Sequence, residues 1–136
     1  PITINDISEL NDVFLGRKDC PHPNSATVHE SHFGTMYIVP GREDWQATWT
    51  MDDWNEHRIE HLLPFHGYEI TNNVHPLACG LGDLVHPQKG CYVGQEVLTR
   101  MRSRGKFGRR LTRVSNPDER ATTVGKKESL VLERIQ

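Results

Sequence analysis

The chain has 136 residues, of which 35% are hydrophobic and 25% are charged, and its formal net charge is −2 at pH 7. Its mean hydropathy is −0.62, and no apolar run approaches the roughly 18 residues that cross a bilayer. These values exclude a protein built of membrane-spanning helices. They predict a polar globular protein with one domain or two very small ones. No charged segment followed by an apolar run opens the sequence, which indicates the cytosol or an organelle matrix.

The first half of the chain predicts an irregular lead, a strand and a helix. Residues 1–24 predict a short helical or irregular segment followed by a Pro-bearing loop. The partly β-branched run 35–39 predicts a strand that ends at Pro40. A helix is expected over about 52–63, capped by Thr50 or Asp52 and stopped by Pro64. Three tryptophans recur at helix-like spacing and are interpreted as packing residues: Trp45, Trp49 and Trp54.

The second half predicts mainly extended structure. Residues 68–71 favour a brief extended piece, and 97–101 and 108–114 favour successive strands. Alternation over 130–135 predicts a final strand. The three cysteines, Cys20, Cys79 and Cys91, are an odd number and form no CxxC pair. This argues against a disulfide framework and suits a reducing compartment.

The segment Lys89-Gly90-Cys91-Tyr92-Val93-Gly94-Gln95-Glu96 combines a thiol, an ammonium, a phenol, an amide and a carboxylate with two glycines. Glycine permits positive φ angles and close approach of a ligand, so this segment predicts a small polar pocket that contains one thiol. Cysteine reacts as the thiolate, and a neighbouring cation favours that form. Lys89 is therefore the expected activator of Cys91, and both are candidate catalytic residues.

This segment resembles the signature of the YgfZ-type folate-binding proteins. These are relatives of the glycine-cleavage T-protein (GcvT, aminomethyltransferase) and include mitochondrial iron–sulfur assembly factors. The pattern K-G-C-Y-x-G-Q-E is followed in this chain by Arg100, Gly105, Arg109 and Leu111. Upstream, a second resemblance covers Arg58-Ile59-Glu60-His61, Pro64, Gly67, Glu69 and Ile70.

The resemblance implies an α+β fold. A ferredoxin-like portion of the T-protein-like fold would be followed by a C-terminal β-barrel that is complete or partial. The expected division is an N-terminal remnant or linker at 1–24, a folate-binding portion at 25–100 and a barrel portion at 101–136. The implied function is a tetrahydrofolate-binding accessory protein in the maturation or repair of iron–sulfur enzymes. Its implied ligand is tetrahydrofolate or a one-carbon derivative, and its implied partners are iron–sulfur client or assembly proteins.

The resemblance also implies the ligand-binding residues, which are Glu60, Arg58, Tyr92, Gln95, Glu96 and Arg100. In the family fold, the carboxylate at the position of Glu60 lies where a pterin ring donates two hydrogen bonds to it. For Arg58, a plain salt bridge is favoured over a ligand contact. Three roles stay open for Cys91: nucleophile or one-carbon acceptor, transient ligand or redox partner for a cluster, and structural thiol.

Two positions depart from the family pattern. Ala78 stands at a commonly acidic position, and Leu62 stands where bacterial members usually have glycine. The chain is also less than half the length expected of a complete member. Two explanations stay open, namely a reduced relative and a part of a longer protein.

Two other functions are alternatives to the accessory protein. A folate-dependent aminomethyltransferase would need an acidic residue beside the one-carbon unit, and no motif places one here. An RNA- or tRNA-associated protein would use the basic stretch 100–113, which holds Arg100, Arg102, Arg104, Lys106, Arg109, Arg110 and Arg113. As a strand, its first part would put three guanidinium groups on one face. An RNA-binding stretch should have aromatic residues between its cations, and only Phe107 is aromatic here. The other interpretation of the stretch is a solvated face or a partner for the acids near 52–56.

His57-Arg58-Ile59-Glu60-His61 spells H-x-x-E-H, the inverted zincin motif. In that motif two histidines one helical turn apart bind zinc, and the glutamate acts as general base. A zinc hydrolase would need a third ligand, and Glu128 and Glu133 are the only loosely placed candidates. The sequence therefore predicts no metal site and keeps the hydrolase as a minor alternative.

Overall fold

The computed structural model describes residues 6–41, 43–86, 89–105 and 108–135. The chain divides into two compact units, Pro1–Thr48 and Trp49–Gln136. Each unit contains a three-stranded antiparallel sheet, and the α-helices of the described residues lie in the second unit. The α+β class is therefore confirmed. None of the described helices has the length and apolar character needed to span a membrane.

The first unit is built on strands β1 (Asn11–Gly16), β2 (Thr27–Ser31) and β3 (Gly34–Pro40), in the order β1-β3-β2. The predicted strand 35–39 is confirmed as β3. The prediction of a helical or irregular lead is wrong for β1, which pairs along its whole length with β3. Asn and Asp are poor strand formers, so the local sequence hides a strand that exists through its partner. Residues 1–5 of the predicted lead lie outside the described residues.

The central strand β3 supplies the core of the first unit. Its burial alternates, with Thr35, Tyr37 and Val39 buried. The Tyr37 hydroxyl donates to the Arg17 carbonyl at 2.5 Å, and its ring meets Trp45 edge-on at 5.5 Å between centroids. Trp45 is thus a packing residue, as its spacing indicated.

The second unit begins with helix α1 (Met51–His61), which confirms the predicted helix with an end two residues earlier. Its first turn carries a capping box. The Thr50 hydroxyl accepts from the Asp53 backbone N–H at 3.2 Å, and the Asp53 carboxylate accepts from the Thr50 N–H at 2.9 Å. The Thr50 backbone N–H and the Thr50 hydroxyl both donate to the Asp53 carboxylate and lower its pKa. Such a box satisfies two backbone donors that the helix itself leaves unpaired.

Helix α1 ends in a left-handed residue. Leu62 has φ 54° and ψ 41°, and the next N–H, of Leu63, donates back to the Arg58 carbonyl at 2.9 Å. This conformation costs about 1–2 kcal/mol for a residue with a Cβ, whereas glycine adopts it readily. The turn therefore gives a physical reason for the glycine that the family pattern has at this position.

The sheet of the second unit comprises β4 (Arg109–Ser115), β5 (Thr123–Val124) and β6 (Glu128–Arg134), in the order β4-β6-β5. The predicted strands 108–114 and 130–135 are confirmed. Helix α1 packs on this sheet through Ile59, which lies in one buried cluster with Leu111 and Leu130. Within the described ranges the sheet has three strands and does not close into a barrel.

Close packing between α1 and the turn before β6 requires glycine at position 125. A Cβ on Gly125 would lie 2.6 Å from Ile59 Cδ1 and 2.8 Å from the Glu128 carbonyl oxygen. The adjacent Lys126 backbone N–H donates to the Glu56 carboxylate of α1. The helix and the turn are therefore joined by both packing and a hydrogen bond.

The prediction of a strand over 97–101 is wrong, because these residues lie in helix α2 (Gln95–Arg104). Val97 and Thr99 favour a strand, but the surrounding Gln, Glu, Leu, Met and Arg residues are good helix formers and outweigh them. Gly94 and Gly105 bound the helix in left-handed conformations, with φ 86° and 60°. The acid of its first turn and the arginines of its last turn also suit the helix dipole.

The prediction of an extended piece over 68–71 is also wrong. The Phe65 carbonyl accepts from the backbone N–H groups of Tyr68, Glu69 and Ile70 at 3.1–3.2 Å, so the chain forms a tight turn. Gly67 takes φ 86° within it. The strand-like pairing described in this segment is one isolated β-bridge, between His66 and Ile70.

Candidate functional site

A buried carboxylate lies at the centre of the second unit. Glu69 is fully buried, and its side chain accepts four hydrogen bonds. One oxygen accepts from Arg58 and from the Phe65 backbone N–H at 3.0 Å. The other accepts from the Thr122 and Thr123 hydroxyls at 2.6 and 2.7 Å. Glu69 therefore joins the turn after α1 to strand β5.

Arg58 is the charged partner of Glu69 and is also fully buried. Its remaining donors reach the Leu63 carbonyl at 3.2 Å, the Asn55 side chain at 2.8 Å and the Thr123 hydroxyl at 3.1 Å. Burial lowers the pKa of Arg58, and the Glu69 charge opposes that shift. The favoured salt bridge is thus present. The contact of Arg58 with a cofactor stays a prediction, and its guanidinium has no exposed surface from which to make one.

Glu60 follows two residues later and points the other way. Its side chain is 71% exposed, and the His61 Nε2 atom lies 3.8 Å from its carboxylate. Residues two apart on a helix project from nearly opposite sides. Helix α1 therefore buries Arg58 and Ile59 in the unit while it presents the Glu60 carboxylate to solvent, where a ligand could reach it. Its contact with a pterin stays a prediction.

Residues 89–94 of the signature segment form a largely exposed loop that leads into α2, and the last two residues of the segment begin that helix. Lys89 and Cys91 are exposed, and the Lys89 Nζ atom lies 4.3 Å from the centroid of the Tyr92 ring. This is a cation–π contact. Gly94 has φ 86°, as expected of a glycine in this segment, whereas Gly90 does not take a positive φ. The described contact of the Lys89 ammonium is with Tyr92, and its activation of Cys91 stays a prediction.

The other predicted ligand residues of the segment lie on α2. Gln95 is half-buried, and Glu96 and Arg100 are exposed one helical turn apart. Among the described residues, no hydrogen bond or ion pair joins Glu60 to the segment 89–96. The structure thus groups the predicted binding residues into two sets, one on α1 and one on the loop and α2.

The basic stretch does not form the single face that a strand would give. Arg100 and Arg104 share one side of α2, while Arg102 lies across the helix and donates to the Val85 carbonyl at 3.0 Å. Arg113 lies on β4 and pairs with Glu128 at 3.5 Å. Lys106 and Phe107 lie outside the described residues. The cations are therefore divided between a helix and a strand.

The other two cysteines, Cys79 and Cys20, differ in environment. Cys79 is buried, and its Sγ donates to the Glu69 carbonyl at 3.2 Å. Burial, with a smaller effect of the Glu69 charge, raises the pKa of Cys79 to about 11. Cys20 is half-buried, with its Sγ 3.7 Å from the Pro21 carbonyl oxygen.

These environments predict different reactivities toward iodoacetamide. Cys91 should react fastest, because its thiol is exposed. Cys79 should be protected, since a pKa of about 11 leaves about one thiolate in a thousand at about pH 8. The measurement is the labelling rate of each cysteine by peptide mass spectrometry in the folded chain. A Lys89→Ala variant tests activation: a slower Cys91 supports it, and an unchanged rate assigns the reactivity to exposure alone. Equal rates at Cys79 and Cys91 would contradict the described burial.

The H-x-x-E-H residues come together on α1. One ligand atom from each of His57, Glu60 and His61 lies within 4.8 Å of the others. Neither Glu128 nor Glu133 belongs to this cluster among the described residues. The third ligand that a zinc hydrolase would take from the final strand is therefore not supplied by these positions.

No role was predicted from the sequence for Glu69, whose side chain accepts four hydrogen bonds. Its signal was an acidic residue within an otherwise apolar turn, eleven positions after an arginine on a predicted helix. Its other partners, Thr122 and Thr123, lie 53 and 54 residues further along the chain. Such long-range partners are not visible in local patterns.

Comparison with known proteins gives one partial similarity. The chain is 38% identical over 48 residues to an aminomethyltransferase of Exiguobacterium sibiricum. That match covers 35% of this chain and 13% of the length of the relative. No protein-family profile matches the sequence, and no solved structure matches it significantly. The similarity to aminomethyltransferases is thus limited to one segment.

Proposed function

We propose that this chain belongs to a tetrahydrofolate-binding accessory protein, related to aminomethyltransferases, that acts in the maturation or repair of iron–sulfur enzymes. The observation that carries the proposal is the 38% identity over 48 residues to an aminomethyltransferase. The signature segment 89–96 favours the YgfZ branch of that superfamily. The proposed location is the cytoplasm, or the mitochondrial matrix in a eukaryote.

The exposed carboxylate of Glu60 supports a folate site. A pterin offers neighbouring N–H donors in one plane, and a carboxylate accepts two such hydrogen bonds at once. Glu60 projects from a helix whose other side is fixed by the buried pair of Arg58 and Glu69. A rigid backbone under an exposed acceptor lowers the cost of ordering that acceptor on binding.

In the proposed family fold, the three-stranded sheet of the second unit is part of the C-terminal barrel, and the preceding part belongs to a ferredoxin-like portion. Cys91, on its exposed loop, would act on the one-carbon unit or contact an iron–sulfur client. One thiol does not hold a cluster alone, because clusters usually have about four protein ligands. A client or assembly protein would supply the others.

The aminomethyltransferase itself is the second candidate, favoured by the name of the partial relative. An aminomethyltransferase needs an acidic residue beside the one-carbon unit, whereas an accessory protein does not. An aminomethyltransferase should release ammonia from an aminomethylated carrier in the presence of tetrahydrofolate. An accessory protein should bind tetrahydrofolate without that release.

The folate site is tested by Glu60→Ala. We expect the variant to bind tetrahydrofolate more weakly by about 1.5–3 kcal/mol, which is a loss of at least about tenfold in affinity, because a charge-assisted contact is removed. Isothermal titration calorimetry with the full chain measures the change. The experiment is done in the presence of EDTA.

Glu128→Ala is the matched control for this experiment. It removes a partly exposed carboxylate from the same unit, where Glu128 pairs with Arg113, and it should leave the affinity for tetrahydrofolate unchanged. An unchanged affinity in Glu60→Ala would remove Glu60 from the site. Equal losses of affinity in both variants would show that the effect comes from the change in net charge and not from a contact of Glu60.

A further inference from the structure

The H-x-x-E-H residues of α1 bring three metal-ligating side chains together on one exposed side of the helix. His57 and His61 are four residues apart, and their ring centroids are 4.4 Å apart. Glu60 is three residues after His57, so all three lie over the same helical turn. One ligand atom from each lies within 4.8 Å of the other two.

The distances between these ligand atoms are close to those around a bound metal ion. Zinc ligands lie about 2.0–2.2 Å from the metal, so tetrahedral ligand atoms are about 3.3–3.6 Å apart. The Glu60 oxygen and His61 Nε2 are already 3.8 Å apart. Small changes of side-chain torsion would close the remaining difference, since Glu60 and His61 are 71% and 53% exposed and free to move.

The surroundings restrict the position of His57. The Trp54 ring stacks on His57 at 5.7 Å with an interplanar angle of 29°, and the Trp49 ring lies 5.2 Å from it. A ring that neighbouring groups orient loses less freedom when it binds an ion. Each histidine needs to offer only one of its two ring nitrogens, so the other nitrogen can keep a partner within the protein.

We propose that His57, Glu60 and His61 form a binding site for a divalent transition-metal ion of the Zn²⁺ class. Two imidazoles and one carboxylate suit Zn²⁺ and its neighbours, whereas Mg²⁺ and Ca²⁺ prefer oxygen ligands throughout. Three protein ligands leave a coordination position open to water or to a donor from another molecule. The carboxylate is a ligand in this site, which differs from the inverted zincin arrangement, where the glutamate acts as a base.

The metal site does not depend on the proposed folate function, although Glu60 takes part in both. The two are separated by their variants. His57→Gln removes a metal ligand and leaves the Glu60 carboxylate in place. It should therefore abolish metal binding without weakening the binding of tetrahydrofolate in EDTA.

The test is a calorimetric titration of the full chain, freed of metal by EDTA and buffer exchange, with ZnCl₂ alone. We expect one Zn²⁺ ion per chain, with affinity reduced about tenfold or more in His57→Gln and in His61→Gln. His29→Gln, which changes an exposed histidine of strand β2, is the matched control and should bind as the parent chain does. Titration with MgCl₂ should show no binding at this site. Far-UV circular dichroism checks that each variant keeps its helices.

The exposed Cys91 thiol is the competing ligand, so Cys91→Ser is titrated in parallel. Retained Zn²⁺ binding in Cys91→Ser, with loss in the two histidine variants, supports the site. Absence of stoichiometric binding, or equal affinity in the parent chain and both α1 histidine variants, would overturn it. Loss in Cys91→Ser with no loss in His57→Gln would also overturn it, because the ion would then be held by the thiol.

Discussion

Glu69→Ala should lower the free energy of unfolding by about 3–5 kcal/mol, because it leaves the Arg58 guanidinium charged and buried without its partner. The loss includes the hydrogen bonds from Thr122, Thr123 and the Phe65 backbone N–H. The Thr123 and Phe65 donors would be unpaired, whereas the Thr122 hydroxyl keeps the Leu130 carbonyl as an acceptor. Small domains are stable by only about 5–15 kcal/mol. Chemical denaturation with urea, followed by tryptophan fluorescence and circular dichroism, measures the change.

Two further variants separate the charge from the packing. Arg58→Met combined with Glu69→Leu removes both charges, and we expect it to recover much of the loss, because a buried pair replaced by apolar groups is often neutral. Arg113→Met removes a half-exposed ion pair with Glu128 and should cost under about 1 kcal/mol. A loss below about 1 kcal/mol in Glu69→Ala would contradict the burial of the pair.

Ile59→Ala should destabilise the second unit by about 2–5 kcal/mol, because it opens a cavity between α1 and the sheet. Ile59 is 2% exposed, and it packs with Leu111 and Leu130. Urea denaturation again gives the free energy. The signal should come from Trp49 and Trp54, which lie beside and within α1.

Val97→Ala is the control for this cavity. It also removes methyl groups from a helix, but Val97 is 57% exposed on α2, so the variant should change the stability by at most about 0.5 kcal/mol. A small effect of Ile59→Ala, equal to that of Val97→Ala, would show that α1 does not pack on the sheet as described. Glu60→Ala, one residue further along α1, should change ligand binding and leave the stability near that of the parent chain.

Local patterns predicted the elements whose own residues specify them. Thr50 and Pro64 mark the limits of α1, and a capping hydroxyl with acids in the first turn is a strong start signal. The runs at 35–39, 108–114 and 130–135 contain enough β-branched and apolar residues to specify strands. In each of these elements the local preference and the final structure agree.

The remaining elements depend on partners distant in sequence. Strand β1 contains Asn11 and Asp12 and is held by β3, whose paired residues lie 19 to 29 positions further along the chain. Helix α2 was mistaken for a strand because Val97 and Thr99 dominated a short window, while the glycines at both ends carried the better signal. Glu69 was missed for the same reason as β1, since its threonine partners follow more than fifty residues later.

The roles of the candidate site residues stay predictions, whereas the structure does describe where each residue lies. Glu60 and Cys91 are exposed on the second unit, as ligand-binding residues need to be. Arg58 was placed with them by motif, yet the structure buries it against Glu69, because residues two apart on a helix face different surroundings. The three-dimensional structure is needed to tell that Glu60 lies on the surface and that Arg58 is buried beneath it.

The most direct measurement is a calorimetric titration of the full chain with tetrahydrofolate, under anaerobic conditions and with EDTA present. We predict saturable binding of one molecule per chain, weakened in Glu60→Ala and unchanged in Glu128→Ala. A folded chain that shows no saturable heat with tetrahydrofolate or its 5,10-methylene and 5-formyl derivatives would contradict it.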